Sequence, residues 1–354
     1  MEELTRLEEL TVTYGPSGYE DIDWGIRDYL ETQLRPLCDA VWADTMGNLI
    51  GVKRCGRPDA KKLLLDAHMD EVGLIVTGIE NGFLRFTALG GIDARVLPAT
   101  AVGVRMHDPY GTARYSWMSG VIDTMPPHAL KAEDMEKAVP IEDLVIDVGL
   151  TQSEAEAYVP LGTAAVFCTW PSRLRNDRLA GKTLDDRACV EVILRVLREL
   201  QGQNLGVDIY CMFSTQEELG TRGASVGVYG IDPDVALVLD VTHGKTPDAQ
   251  GIELMELGGG PAIGVGPNMT RKVTETLIRL AEDENIPYQL EVMSGNSGTN
   301  AWPIQISRGG VATGVLSVPL RYMHTPNEVI DLADVAHTAR LVTAFARNIG
   351  EVLT

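Results

Sequence analysis

Apolar and polar positions along the chain fall into three successive textures. Over residues 4–12, and again over about 22–34, apolar side chains recur at helical spacing, and Gly15-Pro-Ser-Gly18 between them has the composition of a turn. The chain therefore opens with two helices. Residues 41–44 and 49–53, joined through Gly47-Asn48, read as a hairpin. Residues 62–67 read as a buried strand that runs into His68-Met-Asp70. From about 73 to 159 the texture changes to short apolar runs, at 74–79, 83–88, 101–106, 120–122 and 144–148, broken by Gly and Pro. That stretch predicts a small β-rich unit inserted into another. From residue 163 onward strand and helix patterns alternate: a helix at 187–200, strands at 207–214 and 235–241, a helix at 272–284, strands at 289–293 and 311–318, and a last helix at 332–349. Such alternation predicts an α/β architecture, a mixed sheet flanked by helices. The expected division is a catalytic unit of residues 1–72 and 162–354 around an insert of 73–161.

Composition narrows the function. The chain has 354 residues, 45% apolar and 23% charged, so disorder and fibrous repeats are excluded. Asp plus Glu number 50 against 30 Lys plus Arg, a formal charge of −20, which repels phosphate backbones and argues against nucleic-acid partners. The five cysteines are scattered and form no Cys-x-x-Cys pair, so they read as reduced packing residues. The acidic first ten residues lack the pattern of a secretory signal, and no run has the length and apolarity of a membrane span, so a cytoplasmic protein without membrane contact is expected.

Histidine is scarce, six residues in all, yet two stand beside acids or turns at expected strand ends: His68 in Asp66-Ala-His-Met-Asp-Glu71 and His324 in Arg321-Tyr-Met-His-Thr-Pro326. Between them lie Asp185-Asp186 opening a helix, Glu217-Glu218 closing a strand, and Asp240 closing the next. Ligands bind outside the carboxyl ends of strands in open α/β sheets, and imidazoles with carboxylates suit zinc, cobalt or manganese. His68, Asp185, Glu218, Asp240 and His324 make five ligands, and a bridging aspartate would turn them into three contacts for each of two divalent cations. Three carboxylates and a shared hydroxide would then balance the charge of the pair. Glu217 is left as the general base. Because strand neighbours point to opposite faces, Glu217 and Glu218 can both face the site only if the strand has ended there. Asp70, two residues past His68, is placed to hydrogen-bond that histidine's other ring nitrogen and so orient it for catalysis.

The motifs His68-Met-Asp-Glu-Val-Gly73, Leu184-Asp-Asp-Arg-Ala188, Gln216-Glu-Glu-Leu-Gly220 with Arg222-Gly-Ala224, Asp240-Val-Thr242, and Arg321-Tyr-Met-His-Thr-Pro326 with Glu328-Val329 follow one another in order. Together they resemble the tetrahedral aminopeptidases, dinuclear metallopeptidases also called glutamyl or deblocking aminopeptidases and, in some cases, endoglucanase M. The resemblance implies a cytosolic exopeptidase that trims short peptides, a zinc-exopeptidase-like domain carrying a PDZ-like insert, and dimers that assemble into a dodecamer. It also implies Asp185 rather than Asp186 as the bridge, reached through a cis peptide. Cys189 and Asn300 depart from the family pattern, and neither is expected to touch a ligand.

Each residue also has a plainer reading. Asp185-Asp186 could cap a helix, Glu217-Glu218 could be a solvated turn, Asp240 an Asx turn, and His68 a packed histidine. Only the set as a whole carries the argument. His243, three residues after Asp240, could point into the crevice, but a surface-loop position is the stronger expectation, and His107, His128 and His337 are expected to be structural. Gly258-Gly-Gly260 lacks the Lys-Ser or Lys-Thr of a phosphate loop and is expected to form a tight turn beside the site. Two other functions compete with the aminopeptidase. A glycoside hydrolase would leave both histidines idle and cannot use adjacent carboxylates across one glycosidic bond. A non-catalytic metal or peptide-binding scaffold would need a closed site with no open position.

Overall fold

The computed structural model describes residues 2–22, 24–107, 117–123, 125, 128, 137–247, 249 and 254–353. Its centre is a run of parallel strands. Asp208–Ser214 pairs with Lys62–His68, that strand pairs with Val235–His243, and Val235–His243 pairs with Ala312–Arg321. These segments read KLLLDAH, DIYCMFS, VALVLDVTH and ATGVLSVPLR, the near-continuous apolar sequence of strands covered on both faces. Antiparallel strands extend the sheet on both sides, Leu49–Lys53 and Ala40–Ala43 on one, Glu328–Asp331, Arg178–Gly181 and Ser172–Leu174 on the other. With Ala262–Val265 and Gln289–Val292 branching from it, the mixed sheet has eleven strands.

Helices cover both faces, as the alternation of strand side chains requires. Leu63 and Leu65 point into a core with residues of the helices Glu2–Val12, Ile26–Leu34, Leu184–Glu199, Arg271–Asp283 and Leu332–Arg347. Leu64 points the other way, into a smaller core with Arg222–Ile231 and Ala301–Ile304. The helix Arg222–Ile231 was not expected from its sequence, RGASVGVYGI. Its glycines explain why: a Cβ on Gly227 would lie 2.3 Å from the Met212 sulfur, and one on Gly223 2.2 Å from the Thr215 carbonyl. Close approach to the sheet selects residues that score poorly as helix formers.

The β-rich stretch closes on itself. Gly73–Glu80, Phe83–Leu89, Val145–Asp147, Trp117–Asp123, Ala101–Arg105 and Ala164–Phe167 form a six-stranded barrel in that spatial order. Leu74, Val76, Leu84, Phe86, Val102, Val104 and Ile122 fill it. Its last strand lies beyond residue 161, where the sequence reading ends the insert. The short helix Gln152–Tyr158, started by a capping box of Thr151 and Glu154, was also unexpected. No helix among the described residues is long and apolar enough to cross a membrane.

Candidate metal centre

The carboxyl ends of the parallel strands bring the chemistry together. His68 ends its strand and pairs in register with Ser214, after which the chain turns through Gln216 at φ +54° and presents both Glu217 and Glu218 to one cavity. The strand has ended there, which frees the two neighbours to face the same way. Asp240 lies within a strand that runs on to His243, longer than expected, and pairs with Ser317. Asp185 sits in the first turn of Leu184–Glu199, where the backbone is not helical and the Asp185–Asp186 peptide is cis. His324 follows Ala312–Arg321 in the left-handed region, at φ +60°.

Two groups of ligand-type atoms result. Atoms of His68, Asp185 and Asp240 lie within 4.8 Å of one another, and so do atoms of Asp185, Glu218 and His324. Asp185 belongs to both, and Asp186 to neither. Oδ1 of Asp185 is 3.0 Å from His68 Nε2, and its Oδ2 is 3.3 Å from His324 Nε2, which is equally 3.3 Å from Glu218 Oε1. Each imidazole is fixed from behind by a carbonyl. Nδ1 of His68 donates to the main-chain oxygen of Asp70 at 3.0 Å, and Nδ1 of His324 donates to that of Gly91 at 2.7 Å. A carbonyl only accepts, so both rings turn Nε2 toward the cavity.

Asp70 differs from the sequence reading in the group it uses. Its carboxylate lies 3.5 Å from His68 Nδ1 and instead accepts the backbone N–H groups of Glu217 and Glu218, at 3.0 and 3.2 Å. It therefore holds the turn that carries both glutamates. Glu328 does similar work opposite, accepting the backbone N–H of His324 at 2.9 Å and of Asp185 at 3.1 Å. The sequence reading gave it no role of its own.

Charge is the test of whether cations fit. Burial pushes the Glu217 carboxyl up to about 8, with Glu218, Asp70 and Asp185 adding repulsion against the relief given by His68. Burial likewise raises Asp240 and Glu328 well above the carboxylate range. Burial would lower His324, yet Asp185 and Glu218 lift it to about 11, and Asp185 and Asp70 outweigh burial at His68 in the same way. Buried acids in excess of buried bases call for added positive charge, and carboxylate with imidazole is a donor set that divalent transition metals accept. The residues fit such ions.

The groups line a cavity of about 620 Å³ together with Thr242, His243, Glu291, residues 296–299, Trp302 and Met323. Three expectations change here. His243 is exposed, as expected, but it ends a strand rather than lying in a loop, and it lines the cavity. The Gly258–Gly260 turn is absent from the lining, because its N–H groups bind the Asp334 carboxylate at 2.7 Å. Cys189 does touch a candidate ligand, its thiol donating to the Asp240 main-chain oxygen at 3.1 Å. Asn300 donates to Asp66 at 2.9 Å and to Ser214 at 2.7 Å, tying the 296–299 loop to the sheet. His107, His128 and His337 lie outside the cavity lining.

A family model described as M42 glutamyl aminopeptidase matches residues 47–341. The chain is similar to a lysyl aminopeptidase of Pyrococcus furiosus, 36% identical over 349 residues that cover 97% of this chain and 96% of the relative. Among solved structures it is similar to an aminopeptidase of the archaeon Desulfurococcus kamchatkensis, at 36% identity and a TM-score of 0.87, covering 98% of this chain and 94% of the other. It is also similar to the TET1 peptidase of Pyrococcus horikoshii, described as able to assemble into a tetrahedron or a large octahedral shell, at 30% identity, a TM-score of 0.82 and coverage of 97% and 99%.

Proposed function

The chain belongs to the M42 glutamyl aminopeptidase family, and from that premise we propose that it is a dinuclear metallo-aminopeptidase removing N-terminal residues from short peptides. His68, Asp185 and Asp240 would hold one divalent cation, and Asp185, Glu218 and His324 the other, with zinc, cobalt or manganese all suited to the donors. The observation that carries the reading is the pair of three-residue groups meeting at one aspartate. When bound, such a pair supplies Lewis-acid polarisation of the scissile carbonyl and lowers the pKa of water.

The side chains do the rest. Glu217 accepts the proton of the attacking water and returns it to the leaving amine, from a turn that holds its carboxylate in the cavity beside the candidate ligands. Asp70 keeps Glu217 and Glu218 together on their turn, and Glu328 ties the backbone of Asp185 to that of His324. The proposal extends to assembly, dimers building a dodecamer, to which exposed Trp24, Trp170 and Ile306 lend apolar surface.

Hydrolysis of amino-acyl p-nitroanilides should vanish with a chelator and return with cobalt or zinc. Glu217→Gln should lower kcat by about 10²–10⁴-fold while bound cation stays at wild-type stoichiometry. Near-normal turnover of that variant would remove Glu217 from its role.

A further inference from the structure

The turn that delivers Glu217 is held by side chains. Four consecutive backbone N–H groups run through it, and each donates to a side-chain oxygen: Thr215 to Asn48 Oδ1 at 3.0 Å, Gln216 to Glu20 Oε1 at 3.1 Å, and Glu217 and Glu218 to the Asp70 carboxylate. Asn48 heads the strand Leu49–Lys53 and Asp70 lies just past Lys62–His68, the two neighbours of Asp208–Ser214 in the sheet. Glu20 comes from outside the sheet, in the loop between the first two helices. It is buried, and its Oε1 gathers three donors, the N–H groups of Gly18 at 2.9 Å and of Gln216, and the Thr215 hydroxyl. That loop is pinned in turn to the segment after His68. Ser17 donates its N–H to the Glu71 main-chain oxygen at 3.0 Å, and Glu71 donates its own to that of Gly15 at 3.0 Å.

We propose that Glu20 is a positioning residue, which acts through Glu217 by setting the Gln216 turn from which that carboxylate enters the cavity. The inference rests on the aminopeptidase reading and on Glu217 as its base. Gln216 lies at φ +54°, a left-handed conformation that a residue with a Cβ seldom adopts unless its surroundings impose it. Returned to extended backbone, the chain would again point successive side chains to opposite faces. Asn48 grips the chain before this residue and Asp70 after it, whereas Glu20 holds the Gln216 N–H itself and the Thr215 hydroxyl beside it. A carboxylate has lone pairs for three donors. An amide in its place offers one neutral oxygen and an NH₂ that competes with the donors it meets. A general base must stand within hydrogen-bond reach of the proton it takes, so a shift of the turn by about 1 Å is felt in the chemical step. Glu20 itself is absent from the cavity lining among the described residues, which confines its effect to the turn.

The test uses the cation-loaded enzyme with a panel of amino-acyl p-nitroanilides. Glu20→Gln should lower kcat about 10- to 100-fold, with KM within about threefold of wild type and bound cation unchanged by elemental analysis. Thr215→Val keeps the side chain's shape and removes one of the three donors, so it should show the same split at about threefold to tenfold. The Glu217→Gln background separates positioning from a merely structural role. With the base already gone, adding Glu20→Gln should cost less than about threefold further in kcat. A cost there as large as in wild type, a loss of bound cation, or a Glu20→Gln kcat within about twofold of wild type overturns the inference and leaves the aminopeptidase reading standing. Should Glu20→Gln fail to fold, Thr215→Val decides on the same readouts, and an unmoved kcat there overturns the inference. A wild-type enzyme that cleaves no member of the panel defeats both.

Discussion

The two candidate ligand groups share Asp185 but are built on different foundations. His68 and Asp240 project from parallel strands whose register is locked on both sides, and with Asp185 they are no more than 6% exposed. Glu218 and His324 come from segments past the strand ends, and the His324 side chain is 29% exposed. Sheet hydrogen bonds position the first group. The second depends on single contacts, Asp70 behind the Glu217–Glu218 turn, and Gly91 and Glu328 around His324. A cation in the first should therefore exchange slowly, and one in the second should exchange quickly and face the substrate.

Asp185→Ala should abolish the contrast, since both groups lose a member. Bound cation should fall at both positions and kcat/KM on the order of 10³-fold, read by elemental analysis and p-nitroanilide turnover. Full retention of either cation would show that Asp185 is not shared. Glu328→Gln should sharpen the contrast instead. It places an amide NH₂ against one of two N–H donors, and cation affinity of the outer group, which uses both Asp185 and His324, should fall about 10- to 100-fold in chelator titrations, more than that of the inner group, which shares Asp185 alone. Gly91→Ala should act least. Its Cβ would stand 3.2 Å from His324 Nδ1, so a small displacement of the ring should weaken the outer cation roughly threefold to tenfold and leave the inner one unchanged.

How much could be read from sequence follows the same divide. Strands buried on both faces leave apolar runs, so the central sheet and the ends that carry His68 and Asp240 stand out without a structure. Asp185, Glu217, Glu218 and His324 are legible by residue type beside turns. What the sequence hides works through main-chain atoms or across domains. Any residue could supply the Gly91 carbonyl. Glu328 acts on backbone N–H groups, a use that its motif does not specify. Glu291 lines the cavity from a short strand that the sequence does show, but its partner in the sheet, Ala262–Val265, carries no strand pattern of its own. The helix Arg222–Ile231 is concealed by the glycines that let it approach the sheet.

The Gly91 carbonyl belongs to the segment between barrel strands, while the imidazole it steadies belongs to the sheet domain. That bond makes the centre a joint property of two folding units. By reciprocity of linked equilibria, whatever free energy the insert's docking lends to cation capture, cation capture lends back to docking. Filling the outer position would thus work as a clasp between the units, and proteolysis or hydrogen exchange at the junction would report its occupancy.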